Sequence, residues 1–193
     1  MDKNEKHKII HEVFGTSPRW SSLPFILRKG RDRFGELFRR LGFSEGAELG
    51  VHKGDFSVEL CLAIPGVHLY CIDWWKRYGG FTQKSQDIRY EMTLERLAPY
   101  NTTIIRDTTF NSVNQFENGQ LDFIYIDAGH TFDECSLDLI LWSHKVKRGG
   151  IIALHDYHLT GDVAAAVEAY IRGHRVEMWF KTQEKYPSVF WVH

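Results

Sequence analysis

Two carboxylates and two imidazoles stand in matching places in the second half of the chain. Asp127 directly follows the apolar run Leu121–Ile126, with His130 three residues on. His155 and Asp156 directly follow the apolar run Ile151–Leu154. An acid placed immediately after a buried run is poorly explained by packing. Neighbouring strands of a sheet lie roughly 4.8 Å apart, so acids ending two such strands can flank one reacting group. Two chemistries fit. Asp127 and Asp156 can share Mg²⁺, which takes oxygen ligands. Alternatively His130 or His155 serves as a general base without a metal, since imidazole ionises near neutral pH. A hydroxyl nucleophile has a high pKa and benefits from either device. Structural roles compete with both: His155 can cap its strand end, and His130 can cap or orient the helix that follows.

A second group of residues has the chemistry of a nucleoside site. The run Glu48-Leu49-Gly50-Val51-His52-Lys53-Gly54 carries an apolar strand into a glycine turn. Gly50 permits a tight bend and close approach of a ligand to the backbone. Gly54 falls where the next helix begins, and its missing side chain leaves room for that ligand. The spacing is not G-x-G-x-x-G, because residue 52 is His and residue 55 is Asp. A diphosphate cradle is therefore disfavoured, and Glu48 would repel phosphate while suiting a cation such as an amino group. Asp73 ends the next apolar strand, where a carboxylate can accept hydrogen bonds from both hydroxyls of a ribose. Trp74 and Trp75 follow it and can stack on a purine.

Positioning these groups requires alternating strands and helices. Residues 47–51, 68–73, 102–106, 121–126 and 151–154 read as strands. Helices are expected over 31–41, 56–64, 86–97, 131–146 and 163–171, with Gly149-Gly150 ending the fourth of them. Residues 176–180 and 189–192 are strands with no room for a helix between them, so they form an antiparallel pair. The fold class is α/β: a Rossmann-like, doubly wound, mostly parallel seven-stranded sheet with an antiparallel C-terminal strand and helices on both faces. Residues 1–30, interrupted by Pro18 and Pro24 around Trp20, read as an N-terminal helical or lid segment ahead of a domain over 31–193. Residues 76–86, rich in Gly and polar side chains, read as a mobile lid. Gln86, Asp87, Arg89, Glu91 and Glu95 read as the wet face of a helix, and Lys145, Lys147 and Arg148 as a solvated helix end.

Composition narrows the class. The chain has 193 residues, 43% of them hydrophobic and 25% charged, with a formal net charge of -1, which is ordinary for one soluble domain. Near neutrality gives no field to gather nucleic acid or anionic lipid. No apolar run approaches the length that spans a bilayer. The three cysteines, Cys61, Cys71 and Cys135, show no metal-ligand spacing and read as buried thiols of a reducing compartment, so a cytoplasmic location is expected.

Three stretches carry a resemblance. Residues 41–54 (LGFSEGAELGVHKG) resemble the opening motif of class I S-adenosylmethionine-dependent methyltransferases. Residues 121–133 (LDFIYIDAGHTFD) and 147–157 (KRGGIIALHDY) resemble the fourth- and fifth-strand motifs of a subgroup of small-molecule and sugar O-methyltransferases, the methyltransferase domain 24 type. The likeness runs from residue 35 to about residue 193. It implies S-adenosylmethionine as cofactor, with Glu48 and Gly50 against its methionine part and Asp73 on the ribose. It implies Asp107 and Thr108 near the adenine, and Asp127 beside the methionine amino group or the substrate. Some members of the subgroup are metal-dependent, but here Gly129 and Tyr157 stand where their pattern has further acids. Tyr78, Tyr157 and His158 are further candidates for the substrate side. The expected partner is a small-molecule acceptor, with self-association into a homodimer left open. Against a nucleic-acid methyltransferase stands the lack of a basic stripe. A catalytically silent cofactor-binding protein is the reading that Gly129 favours, and retention of Asp127, His130 and Asp156 argues against it.

Overall fold

The computed structural model describes residues 1–16, 23–157 and 161–193. Pro18, Trp20 and His158 lie outside the described residues. Among the described residues, eight strands form one sheet in the order β1-β7-β8-β6-β5-β2-β3-β4. The central strands are β2 (Glu45–Leu49), β3 (His68–Asp73), β4 (Thr102–Arg106), β5 (Leu121–Ile126) and β6 (Val146–Leu154), all mutually parallel. β8 (Val189–Val192) runs antiparallel to both β6 and β7 (Phe180–Lys181). The chain leaves β2 for β3 and β4 on one side, then crosses back to place β5 on the other. That reversal makes a topological switch point between β2 and β5, where open α/β sheets bind ligands.

Among the described residues, seven α-helices cover the sheet. One face is packed by α1 (Lys3–Phe14), α2 (Phe34–Arg40), α3 (Asp55–Ala63) and α4 (Gln83–Leu97). Their apolar sides meet strand residues in one cluster that holds Ile10, Phe14, Phe34, Phe38, Leu60, Leu97, Phe123, Tyr125 and Phe190. The other face is packed by α5 (Thr109–Ser112), α6 (Phe132–Ser143) and α7 (Gly161–Gly173), through Leu139, Trp142, Val167 and Tyr170 against Ile124, Ile152 and Trp191. Strands buried on both faces must be apolar throughout, which is why β5 and β6 read as continuous hydrophobic runs.

The fold class expected from the sequence is the one observed, with three local corrections. The N-terminal segment forms a twelve-residue helix, started by Asp2, whose carboxylate accepts from Glu5 N at 2.9 Å, and stopped by a left-handed Gly15. It also supplies an eighth strand, β1 (Phe25–Ile26), parallel to β7 at the sheet edge. Second, Gly149-Gly150 does not end a helix. α6 stops at Ser143, and the glycines lie inside β6, whose register against β5 shifts between Leu121 and Phe123. Third, Lys145 and Lys147 do not finish a helix: Lys145 Nζ donates to Phe116 O at 2.7 Å and Lys147 pairs with Asp122 at 2.8 Å. No helix among the described residues is long and apolar enough to cross a membrane.

Candidate active site

The carboxyl ends of β2, β3, β5 and β6 meet at the switch point. Gly50 leaves β2 at φ +89°, and a Cβ there would collide with the carbonyl oxygen and carbon of Asp127. The ladder continues past both strand ends, with Gly50 N donating to Ile72 O at 2.8 Å and Asp127 N to Leu49 O at 2.7 Å. Glycine is thus required at position 50 by its dihedral and by the approach of two main chains.

Asp73 closes β3 and grips that turn. Its Oδ2 accepts from Val51 N at 3.0 Å and His52 N at 2.8 Å, and its Oδ1 from Trp75 N at 2.9 Å. A carboxylate has about four acceptor directions, so these three bonds leave capacity for about one more donor rather than for a ribose diol at both hydroxyls. Of the two tryptophans, Trp74 is exposed and available for stacking. Trp75 is buried, with its indole N–H donating to His52 O at 2.9 Å, and belongs to the core. Gly54 adopts φ +78°, and a side chain there would face Thr93 and Leu97 of α4; the dihedral, rather than space for a ligand, is what demands glycine. Asp107 and Thr108 lie just past β4. Asp107 Oδ1 accepts from Thr108 N at 2.7 Å and Asn111 Nδ2 at 2.9 Å, and the Thr108 hydroxyl caps α5.

Across the switch point, Asp127, His130 and Asp156 each offer a ligand atom within 4.8 Å of the others. His130 Nε2 lies 2.9 Å from Asp156 Oδ2 and 3.9 Å from Asp127 Oδ1. His155 Nδ1 lies between the same acids, 3.1 Å from Asp156 Oδ1 and 3.4 Å from Asp127 Oδ1. Asp156 sits at φ +58°, a left-handed conformation uncommon for a residue with a side chain and concentrated at functional sites.

A family model described as a methyltransferase domain matches residues 47–157, more than half of the chain, from β2 to just past β6. The chain belongs to this methyltransferase domain family. Solved structures agree in fold. The O-methyltransferase TomG from Streptomyces achromogenes, involved in tomaymycin synthesis and solved with SAM, is 16% identical, with a TM-score of 0.59 over 100% of this chain and 91% of its own. The O-methyltransferase NovP is 14% identical, with a TM-score of 0.64 over 84% of this chain and 77% of its own. Cofactor-bound Rv0187 from MTB is 13% identical, with a TM-score of 0.62 over 98% and 88%. At these identities the likeness is one of fold. No curated protein matches the chain.

Within this methyltransferase domain, electrostatics separates the candidate residues. Burial works against a charge on His155, but the carboxylates of Asp127 and Asp156 outweigh it and hold the imidazole above its ordinary range, with Arg31 opposing them. The His155 side chain is 11% exposed and that of His130 is 41% exposed. Glu48 is buried beneath the first turn of α3, where Ser57 Oγ donates to its Oε2, and it feels the charges of Asp127, Arg31 and Asp73. Burial pushes its carboxyl up to about 8, with Ser57 pulling the other way. Tyr157 also points elsewhere, its hydroxyl donating to Glu168 of α7 at 3.0 Å.

The segment after Asp73 is anchored at both ends. Gln83 Nε2 donates to Trp75 O at 3.1 Å, and Gln86, read from sequence as part of a wet face, is buried with its Nε2 donating to Lys76 O at 3.1 Å. Tyr78 and Phe81 bridge at the tip, with Arg89 over the Phe81 ring at 4.4 Å. Burial, with the carboxylates of Asp73 and Asp127, holds the Tyr78 phenol above its ordinary range, with Arg89 opposing them.

Sequence reasoning missed Arg31. Its Nη1 lies 3.5 Å from Asp127 Oδ2 and 3.5 Å from His155 Nε2. No motif contains it. The one signal was position, an arginine at the start of the helix that precedes the first central strand.

Proposed function

We propose that this methyltransferase domain transfers a methyl group from S-adenosylmethionine to a hydroxyl of a small molecule. The observation that carries the reading is the position of the Asp127–His130–His155–Asp156 cluster, directly across the switch point from the Gly50 turn and Asp73. The cofactor supplies an electrophilic methyl on a good leaving group, so the protein's work is positioning and proton removal. In this reading the donors fit it: Asp73 has acceptor capacity for a ribose hydroxyl, Trp74 offers an exposed ring, and Asp127 suits an ammonium group. SAM in the TomG structure supports the assignment by analogy of fold.

Of the two imidazoles, His130 is assigned as the general base. It is the more exposed, and Asp156 accepts from its Nε2, which orients the ring and stabilises the imidazolium formed when the acceptor hydroxyl gives up its proton. His155 is held between two carboxylates on one edge and Arg31 on the other, which suits positioning rather than proton transfer.

The residues do not fit a Mg²⁺ cage. Magnesium prefers an octahedral shell of oxygen donors. Here two carboxylates are interleaved with two imidazoles, and a guanidinium stands 3.5 Å from one of the acids. No step is assigned to a metal. Full turnover in EDTA is expected, and loss of turnover restored by Mg²⁺ would overturn this part.

Residues 1–30 are read as an N-terminal segment completing the domain over 31–193, and a cytoplasmic enzyme acting on a small acceptor is the setting proposed. Calorimetry with S-adenosylmethionine, S-adenosylhomocysteine and NAD tests the cofactor. Binding of the first two is expected; binding of NAD alone would remove the assignment. Methyl transfer to a panel of hydroxylated acceptors tests the chemistry. Cofactor binding with no transfer to any of them would favour a silent binding protein.

A further inference from the structure

The N-terminal segment delivers a guanidinium to the crevice, and the fold holds it there by several independent bonds. β1 lies on β7, and Leu27 N donates to Lys181 O at 2.8 Å. Arg31 N donates to Glu184 Oε1 at 2.9 Å, and the same oxygen accepts from Thr182 Oγ1 at 2.6 Å. The side chain then passes over the Phe56 ring, with its guanidinium carbon 4.8 Å from the centroid. It ends 3.5 Å from Asp127 Oδ2. Charge-assisted hydrogen bonds run about 2.7–2.9 Å, so the pair with Asp127 is a loose one, and Tyr125 stands beside the same guanidinium. A guanidinium presents five donors in a rigid fork that matches a carboxylate.

A cation and an anion side by side at the end of a crevice are the complement of a zwitterion. We propose that Arg31 binds the α-carboxylate of the amino-acid tail of S-adenosylmethionine while Asp127 takes its ammonium group. The proposal rests on the cofactor reading above and adds the residue that recognises the tail. Three features favour the tail over an anionic acceptor. Arg31 sits beside Asp127, at the same switch point as the Gly50 turn. Phe56, beneath it, belongs to the first turn of the helix that follows that turn. The remaining acids of the cluster, Asp156 and Asp127, would repel a carboxylate unless a cation stood between it and them.

The test compares S-adenosylmethionine with its decarboxylated analogue, which keeps the adenosine, the sulfonium and the amine. Calorimetry on the full chain should show the wild type preferring the carboxylated form by about ten- to a hundred-fold, the range for a hydrogen bond between charged groups. In Arg31→Gln the preference should vanish through loss of affinity for S-adenosylmethionine alone, with the decarboxylated form bound as before. Arg31→Lys, which keeps the charge but not the fork, should retain part of the preference and gives a second comparison if the Gln variant does not fold. An unchanged preference in either variant, or an equal fall for both ligands, would overturn the proposal while leaving the cofactor reading intact. Wild-type protein that binds neither ligand would overturn both.

Discussion

The α-carbon of Gly50 faces the carbonyl of Asp127 so closely that no side chain fits between them. This contact joins the ends of β2 and β5 at the switch point. Gly50→Ala would force a methyl group into that main chain at a φ of +89°, which side chains rarely adopt. The variant is expected to lose about 2 kcal/mol of stability or more, with cofactor binding abolished. Thermal denaturation and calorimetry check both. A stable variant with wild-type affinity would show that the turn relaxes freely.

Asp73 is a clasp on the glycine turn, and the proposed function also gives it a ribose hydroxyl. Asp73→Ala is therefore expected to lower both the melting temperature and cofactor affinity. Asp73→Asn, which keeps one carbonyl acceptor but loses the charge, should recover part of the stability. The loss of affinity in the Ala variant is expected at about 1.5–3 kcal/mol, the range for bonds to a charged group. If stability is untouched in both variants, the amides of Val51 and His52 do not depend on this acid.

The buried Glu48 makes stability depend on pH. Its carboxyl is raised from the ordinary 4.5 to about 8 in the fold. The folded chain therefore keeps a proton that the unfolded chain has already released. Its contribution is fully present below about 4.5 and falls as pH rises, until the folded carboxyl also ionises near 8. The slope is at most about 1.4 kcal/mol per pH unit. Glu48→Gln removes the linkage, so its melting temperature should gain on the wild type steadily from pH 5 to pH 8. Parallel curves for the two proteins would show that Glu48 ionises normally in the fold.

His130 and Asp156 should fail together. His130→Gln is expected to lower kcat by about 10²- to 10⁴-fold, the range for general base catalysis. Cofactor affinity should hold within a few-fold. Asp156→Asn should lower kcat by a similar factor, and the double variant should be little worse than either alone, because the pair acts as one unit. His155→Gln should change KM and cofactor affinity more than kcat. The reverse pattern would exchange the roles of the two imidazoles.

Much of this was legible in the chain because burial on two faces leaves a strong mark. β3, β4 and β5 appear in the sequence with the bounds they have in the fold, and the acids that end β3 and follow β5 and β6 mark the carboxyl edge of the sheet. What stayed hidden depends on contacts between distant segments. Gly149 and Gly150 look like a helix stop, yet they accommodate a register shift within β6. Gln86 looks wet on its helix and is buried by a loop. Trp75 looks like a stacking surface and turns into the core. Arg31 is ordinary in its own stretch and comes to stand beside Asp127 where Glu184, near the other end of the sequence, holds its main chain.

The edge of the sheet also sets an order of assembly. β1 leans on β7, β7 on β8, and β8 on β6. A ribosome therefore releases Arg31 long before it makes the strands against which that residue is seated. Contacts so far apart in sequence form late and slowly. A nascent chain stalled short of β7 would have its glycine turn and its acids in place, with Arg31 still unseated.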